Sequence, residues 1–543
     1  MRGHSAITLE LFRHLFSAIA EEMGVTLGRT AFSPNIKERR DYSCAVFDAA
    51  GRMIAQAAHI PVHLGAMPAS VAAAINSCDM QPGDAVLLND PFAGGTHLPD
   101  LTLVVPIFTP EGPRSLLGFV ASRAHHADVG GMSPGSLPLS TEIYQEGLII
   151  PPVRLVRAGE LQEDLVAMIC RNCRTPDERH GDLHAQLAAG EVGARRLLDL
   201  FSRYGAETVQ READALIVYA DQITRRAIAA FPRGRFTFQD VLDDDGQGNR
   251  DLPIVVSVEA HGDTLLVDFT GTAPECTGSL NAVESITLSA VLYVVRCIVG
   301  ESAPVNHGIM LPVRLICPSG TLAHARAPRA VAAGNVETSQ RIVDVLLGAM
   351  AQILPGSIPA ASQGTMNNVL IGGRDDRTGR PFAYYETIAG GMGARPHLDG
   401  ISGVQTHMTN TLNTPIEALE FSYPMRIIEY SIRRGSGGRG AAHGGDGLRR
   451  SIELLTPSTL TLMTERRASA PYGLAGGEPG NRGANWLVPA GSTTPQPLPA
   501  KTTRMCEAGD VIIVETPGGG GHGPPEGRDA EPRADDGNPR DSG

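Results

Sequence analysis

The chain has 543 residues, 42% of them apolar, and a formal net charge of −13. That length predicts two or more domains or one multilayer unit around a large core, and an acidic balance with no dense basic stretch argues against a nucleic-acid partner. There is no long apolar run and no signal-peptide pattern in MRGHSAITLELFRHLF, so the expectation is a soluble cytoplasmic protein with no membrane partner, and eight cysteines are too few for a disulfide framework in a chain of this length.

Leu9, Leu11, Phe12, Leu15, Phe16, Ile19 and Met23 recur at helical spacing, so an amphipathic helix is predicted over residues 5–28. DYSCAVFDAAGRMIAQA then predicts a hairpin, with strands at 43–47 and 53–57 around a turn at 48–51. Asp41 stands at the start of the first strand, and His59 and His63 follow the second. Two further apolar runs, 85–88 and 101–108, bracket a Gly-rich loop carrying Asn89, Asp90, His97 and Asp100, and a third from 116 delivers Arg123, His125, His126 and Asp128. Imidazoles and carboxylates are thus concentrated at strand ends, where buried strands can hold loops rigid enough for ligands to converge on Zn, Mn or Fe. His97 and Asp100 are close enough in sequence for one turn to aim both at an ion. The same spacing is also met by histidines that bond loop backbone and an aspartate that closes a turn.

From residue 160 to 232 the pattern is helical, with segments at 161–171, 182–204 and 209–231. Cys170 and Cys173 lie inside it without a second pair and are read as packed thiols. Strands return over 233–272, ending in DFTGT, which has the form of a phosphate-binding loop of actin-like kinases. No second such loop accompanies it, so nucleotide binding by this chain alone is not expected. The later segments 330–350, 362–373 and 384–420 are rich in Gly, Asn and Thr and suit either a binding surface of loops or a turn-rich β region. RRGSGGRGAAHGGDGLRR offers a nest of backbone N–H groups. The expected organisation is a mixed α/β fold with an N-terminal part, 1–232, that carries the candidate metal ligands, a loop-rich β-containing part, 233–522, and a disordered tail, 523–543.

The blocks DYSCAVFDAAGRMIAQAAHIPVHLGAMP, GDAVLLNDPFAGGTHLPDLTLVVPIF, SRAHHADVGGMSPGS, AGNVETSQRIVD, SQGTMNN, YYETIAGGMGARPHLDG and TPGGGGHG occur in an order that resembles the B subunit of the hydantoinase/oxoprolinase family, from about Ile7 to Gly523. The resemblance implies a multilayer α/β fold and a division of labour. A separate A-type subunit with a kinase-like fold uses ATP to phosphorylate the carbonyl of a small cyclic amide, and the B subunit completes metal-assisted ring opening, the pair forming a hetero-oligomer such as (AB)2. Related assemblies carboxylate ketones, and a noncatalytic scaffold for the kinase-like partner is the remaining alternative.

Carried over by motif, the implied metal ligands are Asp41, His97, Asp100 and His125, the last chosen over His126 because the first position of that pair is the one the family motif keeps. His126, Asp128 and His59 are then candidates for proton transfer, with His63 a companion. Asn335, Asn367, Asn368 and Arg395 are expected to line the substrate or the subunit junction, since neutral amides suit a lactam edge and an arginine suits a carboxylate or phosphate.

Overall fold

The computed structural model describes residues 6–57, 59–110, 114–300 and 303–525. The apolar runs of the first third close into one antiparallel sheet of β1 (Tyr42–Asp48), β2 (Met53–Gln56), β3 (Ala85–Leu88), β4 (Asp100–Phe108), β5 (Leu116–His125), β6 (Val153–Arg157) and β7 (Glu160–Leu161), in spatial order β2-β1-β5-β4-β3-β6-β7. Side chains alternate across a strand, so β1 serves two layers. Cys44 and Val46 face a layer built from helices Ala6–Thr30 and Pro176–Tyr204, in which Phe12, Phe16, Ile19, Met23 and Leu27 form the buried stripe. Each such side chain contributes about 1.5–3 kcal/mol on burial. Ala45 and Phe47 face the other way, into the central core.

That central core runs across residue 232. It joins Leu87, Leu101 and Leu103 of the sheet to Val291 of helix Glu284–Val299 and to Ile342, Val345 and Leu346 of helix Ser339–Ile353. The last helix stands where a loop surface was expected: its Gly- and Asn-rich approach is a wide π-helical turn, Gly334–Thr338, and even its polar residues Gln340, Arg341 and Asp344 are buried. Tertiary packing has overridden local composition there. Strands Arg235–Asp244, Arg250–His261, Thr264–Asp268 and Val313–Ile316 make a second, four-stranded sheet.

The C-terminal third is a pair of facing sheets. Val369, Ile371, Tyr384, Leu460 and Leu462 of a four-stranded sheet meet Ile452, Leu487, Ile512 and Val514 of a five-stranded one. Beside them the glycine-rich segments stack backbone on backbone, with Gly438 N donating to Gly519 O at 2.8 Å, Gly519 N to Gly445 O at 2.9 Å and Gly445 N to Met392 O at 2.8 Å. Gly523 is part of this layer through Leu474 O, at 3.0 Å. The rest of the expected disordered tail, 526–543, lies outside the described residues. No helix among the described residues is long and apolar enough to cross a membrane.

A Cβ at position 519 would stand 2.1 Å from Met392 O and 2.3 Å from its carbon, backbone atoms that a side-chain rotation cannot move. Gly519→Ala is therefore expected to cost about 1–3 kcal/mol through overpacking, read as a lowered thermal midpoint of the purified chain. An unchanged midpoint would mean that the layer is not close-packed.

Candidate metal centre

The strand register builds the site. Asp100, first residue of β4, is the cross-strand partner of His125, last residue of β5. On the other side of β5, Tyr42 pairs with Ala124, and the His125 N–H donates to Asp41 O at 2.9 Å. Three strand ends therefore meet at one rim of the sheet. The loop before β4 is pinned by Asn89, whose side chain donates to Leu98 O at 2.8 Å and Leu148 O at 3.0 Å and accepts from Ile150 N at 2.7 Å. Asp90 accepts from Phe92 N, and Gly94 takes φ 91°, which L side chains rarely adopt. This bend returns the chain so that His97 lies beside Asp100.

Among the described residues, His97, Asp100 and His125 form the one group of three metal-capable side chains whose ligand atoms all lie within 4.8 Å of one another, and all three are buried. Asp100 Oδ1 is 3.2 Å from His97 Nε2 and 3.3 Å from His125 Nδ1, yet makes no hydrogen bond. Its Oδ2 accepts from Thr96 Oγ1 at 2.7 Å and lies 3.4 Å from His63 Nε2. Burial works against the charge of Asp100, but His97 and His63 outweigh it and hold the carboxyl well below its ordinary range. For His97 too burial opposes the charge and Asp100 overcomes it, raising its pKa, while burial prevails at His125 and lowers it.

The donor set fits a divalent transition metal. His97 Nδ1 lies 3.1 Å from Ala332 O, so a proton on Nδ1 bonds that carbonyl and leaves the Nε2 lone pair toward Asp100. Ligands at about 2.1 Å from a tetrahedral ion lie about 3.4 Å apart, close to the separations seen around Asp100 Oδ1. Asp41 stays outside this group. Its carboxylate is 3.7 Å from the Arg39 guanidinium, although its charge reaches both His97 and His125.

The other expected site residues are distributed differently. Asn335 reaches the centre, its Nδ2 lying 3.0 Å from His97 Nε2 with Oδ1 buried and unpartnered. Asn368 acts one step away: it accepts from the Tyr385 hydroxyl at 2.9 Å, and Tyr385 stacks on His125 with centroids 4.8 Å apart. Asn367 bonds Gln363 and Ile388 O and accepts from Arg467. His126 turns to Gln186 at 2.9 Å, with burial, aided by Arg179, depressing it to about 3. Asp128 is taken up by the Arg174 guanidinium and the N–H groups of Gly130, Gly135 and Arg174. His59 packs edge-on against Tyr42, accepts from Cys44 N through Nδ1 and is depressed to about 4 by burial. Arg395 lines a separate cavity. Arg123 is a buried strut from Thr102 to Ser70, and in DFTGT Asp268 bonds Thr270 N and pairs with Arg235. Cys170 and Cys173 are half-buried free thiols.

Fold and site together define a large mixed α/β protein with an imidazole–carboxylate centre sealed at the rim of an antiparallel sheet. The family model for hydantoinase B/oxoprolinase matches residues 5–525, and the chain belongs to that family. It is 41% identical over 529 residues to an uncharacterized protein of Methanocaldococcus jannaschii, covering 96% of this chain and 91% of that one. It is 39% identical over 546 residues to 5-oxoprolinase 1 of Arabidopsis thaliana, covering 95% of this chain but only 42% of that protein. The chain thus spans less than half the length of this plant relative. The crystal structure of an ATP-dependent caprolactamase from Pseudomonas jessenii matches with a TM-score of 0.89 at 28% identity, covering 96% of this chain and 92% of that chain.

The carbonyl that orients His97 is itself held by a buried acid. Glu146 Oε1 accepts from Val331 N at 2.9 Å, Ala332 N at 3.0 Å and Ser140 Oγ at 2.7 Å, while Oε2 has no partner. Burial outweighs these bonds and raises Glu146 from 4.5 to about 7. With the folded value above the unfolded one, its contribution to stability is present below about 4.5 and lost as pH rises through about 7. Glu146→Gln keeps an acceptor at Oε1 and cannot ionise. Between about pH 5 and about pH 8 the wild-type denaturant midpoint is expected to fall relative to that of the variant. Parallel curves would remove Glu146 from the account.

Proposed function

We propose that this chain is the ring-opening component of an ATP-dependent cyclic amide hydrolase, that a divalent transition metal (Zn, Mn or Fe) lies among His97, Asp100 and His125, and that an A-type kinase-like subunit supplies the activated substrate in a hetero-oligomer such as (AB)2. The observation that carries the metal is Asp100 Oδ1, fully buried between two imidazoles and without a hydrogen bond. A buried acceptor without a partner is costly, and a cation removes that cost. Family membership supports the substrate class and the partner.

An unstrained amide is a poor electrophile, and phosphorylation of its oxygen converts that oxygen into a leaving group. The metal supplies Lewis acidity and lowers the pKa of water. Thr96 holds Asp100 Oδ2 and so keeps Oδ1 toward the imidazoles, and Ala332 O holds the His97 ring. Asn335, with Oδ1 free, presents an amide to a ring N–H or carbonyl beside His97. In this reading proton transfer belongs to His63 rather than to His126, Asp128 or His59. His63 Nδ1 is 2.9 Å from Ser43 Oγ, and Nε2 faces the carboxylate of Asp100.

Elemental analysis of wild type should find about one transition-metal ion per chain, and His97→Ala should lose it. Equal content in both would sink the site. Co-expressed with its A-type partner, wild type should give ADP release and a ring-opened product with a cyclic amide, and Asp100→Asn should lower ring opening at least about 100-fold while the complex stays assembled on gel filtration. Turnover only with a ketone and bicarbonate would assign a carboxylase instead, and full activity of the ligand variants would leave a scaffold.

A further inference from the structure

The two imidazoles beside Asp100 are held by different means. His97 Nδ1 has Ala332 O behind it, whereas His125 Nε2 is buried without a hydrogen-bond partner. A ligand histidine whose second nitrogen is bare can twist about its own side chain unless something lies against its face. Tyr385 lies there, its ring stacked on that of His125 with centroids 4.8 Å apart and 25° between the planes. The contact of His125 with His97 is tilted by 55°, so the stacked face is the one that sets the plane.

Tyr385 cannot follow a twist of His125, because it is anchored at both ends. Arg39 Nη1 donates to its carbonyl at 2.9 Å, and its hydroxyl donates to Asn368 Oδ1 at 2.9 Å. Leu370 is the cross-strand partner of Tyr385, and Asn368, two residues before Leu370, shares its face of the sheet. The Asn368 amide has one favourable way round. Its Nδ2 donates to Glu337 Oε1 at 2.7 Å and to Met463 O at 2.8 Å, and the reverse orientation would set Oδ1 against two acceptors. Glu337 Oε1 also accepts from Met366 N at 3.1 Å, while the side chain is fully buried and Oε2 has no partner. Burial, with Glu465 adding to it, raises Glu337 from 4.5 to about 7, so a carboxamide is a close mimic of it. Glu337 belongs to the turn Gly334–Thr338, which also carries Asn335 beside His97. One turn thus reaches both imidazoles, His97 through Asn335 and His125 through Asn368 and Tyr385.

We propose that Glu337 is a positioning residue of the metal centre, acting through the Asn368 amide and the Tyr385 ring to hold the plane of His125 for the ion. The inference rests on the metal reading of the centre and adds to it a determinant of ion affinity that touches no ligand. An acid is shut away here at a cost in desolvation, and the bond from Asn368 gives it a task at the centre.

The test is titration of the metal-free full chain with Co²⁺, followed by the visible absorption of the bound ion. Glu337→Leu removes the acceptor, and Tyr385→Phe keeps the stacked ring but removes the hydroxyl. Each should weaken Co²⁺ binding about tenfold and shift the absorption band. Glu337→Gln keeps an acceptor at Oε1 and should bind as wild type does, a rescue that a lost charge would not allow. Because both changes cut one chain of contacts, the Glu337→Leu, Tyr385→Phe double variant should also bind about tenfold more weakly than wild type, and not about 100-fold. Multiplying losses, or a wild-type affinity and spectrum in either single variant, would overturn the inference and leave the metal reading in place. Tyr385→Phe leaves Glu337 and its bond from Met366 untouched, so it decides the matter even where Glu337→Leu does not fold. A wild-type chain that takes up no Co²⁺ would sink the metal reading and this inference with it.

Discussion

A carboxylate shut away from water among imidazoles has to be neutralised, and the pairing of β4 with β5 imposes that demand. Because Asp100 and His125 are cross-strand partners at the rim of the sheet, neither can leave without breaking the ladder that carries the central core. The surrounding residues answer the demand only in part. Thr96 and His63 attend to one oxygen, and the other faces His97 and His125 without a bond. Much of the nearby polar structure is explained by the need to hold those two rings: Ala332 O behind His97, Glu146 behind the Ala332 loop, and Tyr385 against the face of His125, itself held by Asn368.

The site is consequently a property of the whole molecule. Its imidazoles and carboxylate come from the first quarter of the chain, while Ala332, Asn335, Asn368 and Tyr385, which surround them, come from beyond residue 330. What unites the two sets is the shared core of Leu87, Leu101 and Leu103 with Ile342 and Leu346. A change that loosens helix Ser339–Ile353 would move the preceding turn, Gly334–Thr338, and with it the amide beside His97.

What was legible in the sequence was local. Short apolar runs bounded by turn residues located β1 to β5 to within a few residues, and the same runs placed Asp41, Asp100 and His125 at or beside strand ends, because strand formation is set largely by near neighbours. The register that brings Asp100 opposite His125 and leaves Asp41 beside Arg39 is not written locally. Nor are contacts across more than two hundred residues, such as Asn335 with His97. Composition misdirected the reading of 330–350. Gly, Asn and Ser suggest loop, but the apolar residues from Ile342 onward bury a helix whose first turn is polar because it is packed against charged groups such as Glu465. The resemblance added the substrate class and the partner, which neither spacing nor charge expresses.

The glycine layer of residues 389–400, 436–445 and 518–523 follows a different economy of structure. Its contacts are backbone to backbone, so almost no apolar side chain is buried in exchange for fixing the most flexible residue type there is. Such a layer has little tendency to order by itself and needs the facing sheets as a template. Its tolerance of substitution is correspondingly low, since a side chain added at Gly391, Gly393, Gly444 or Gly519 would meet main chain, which no rotamer change can clear.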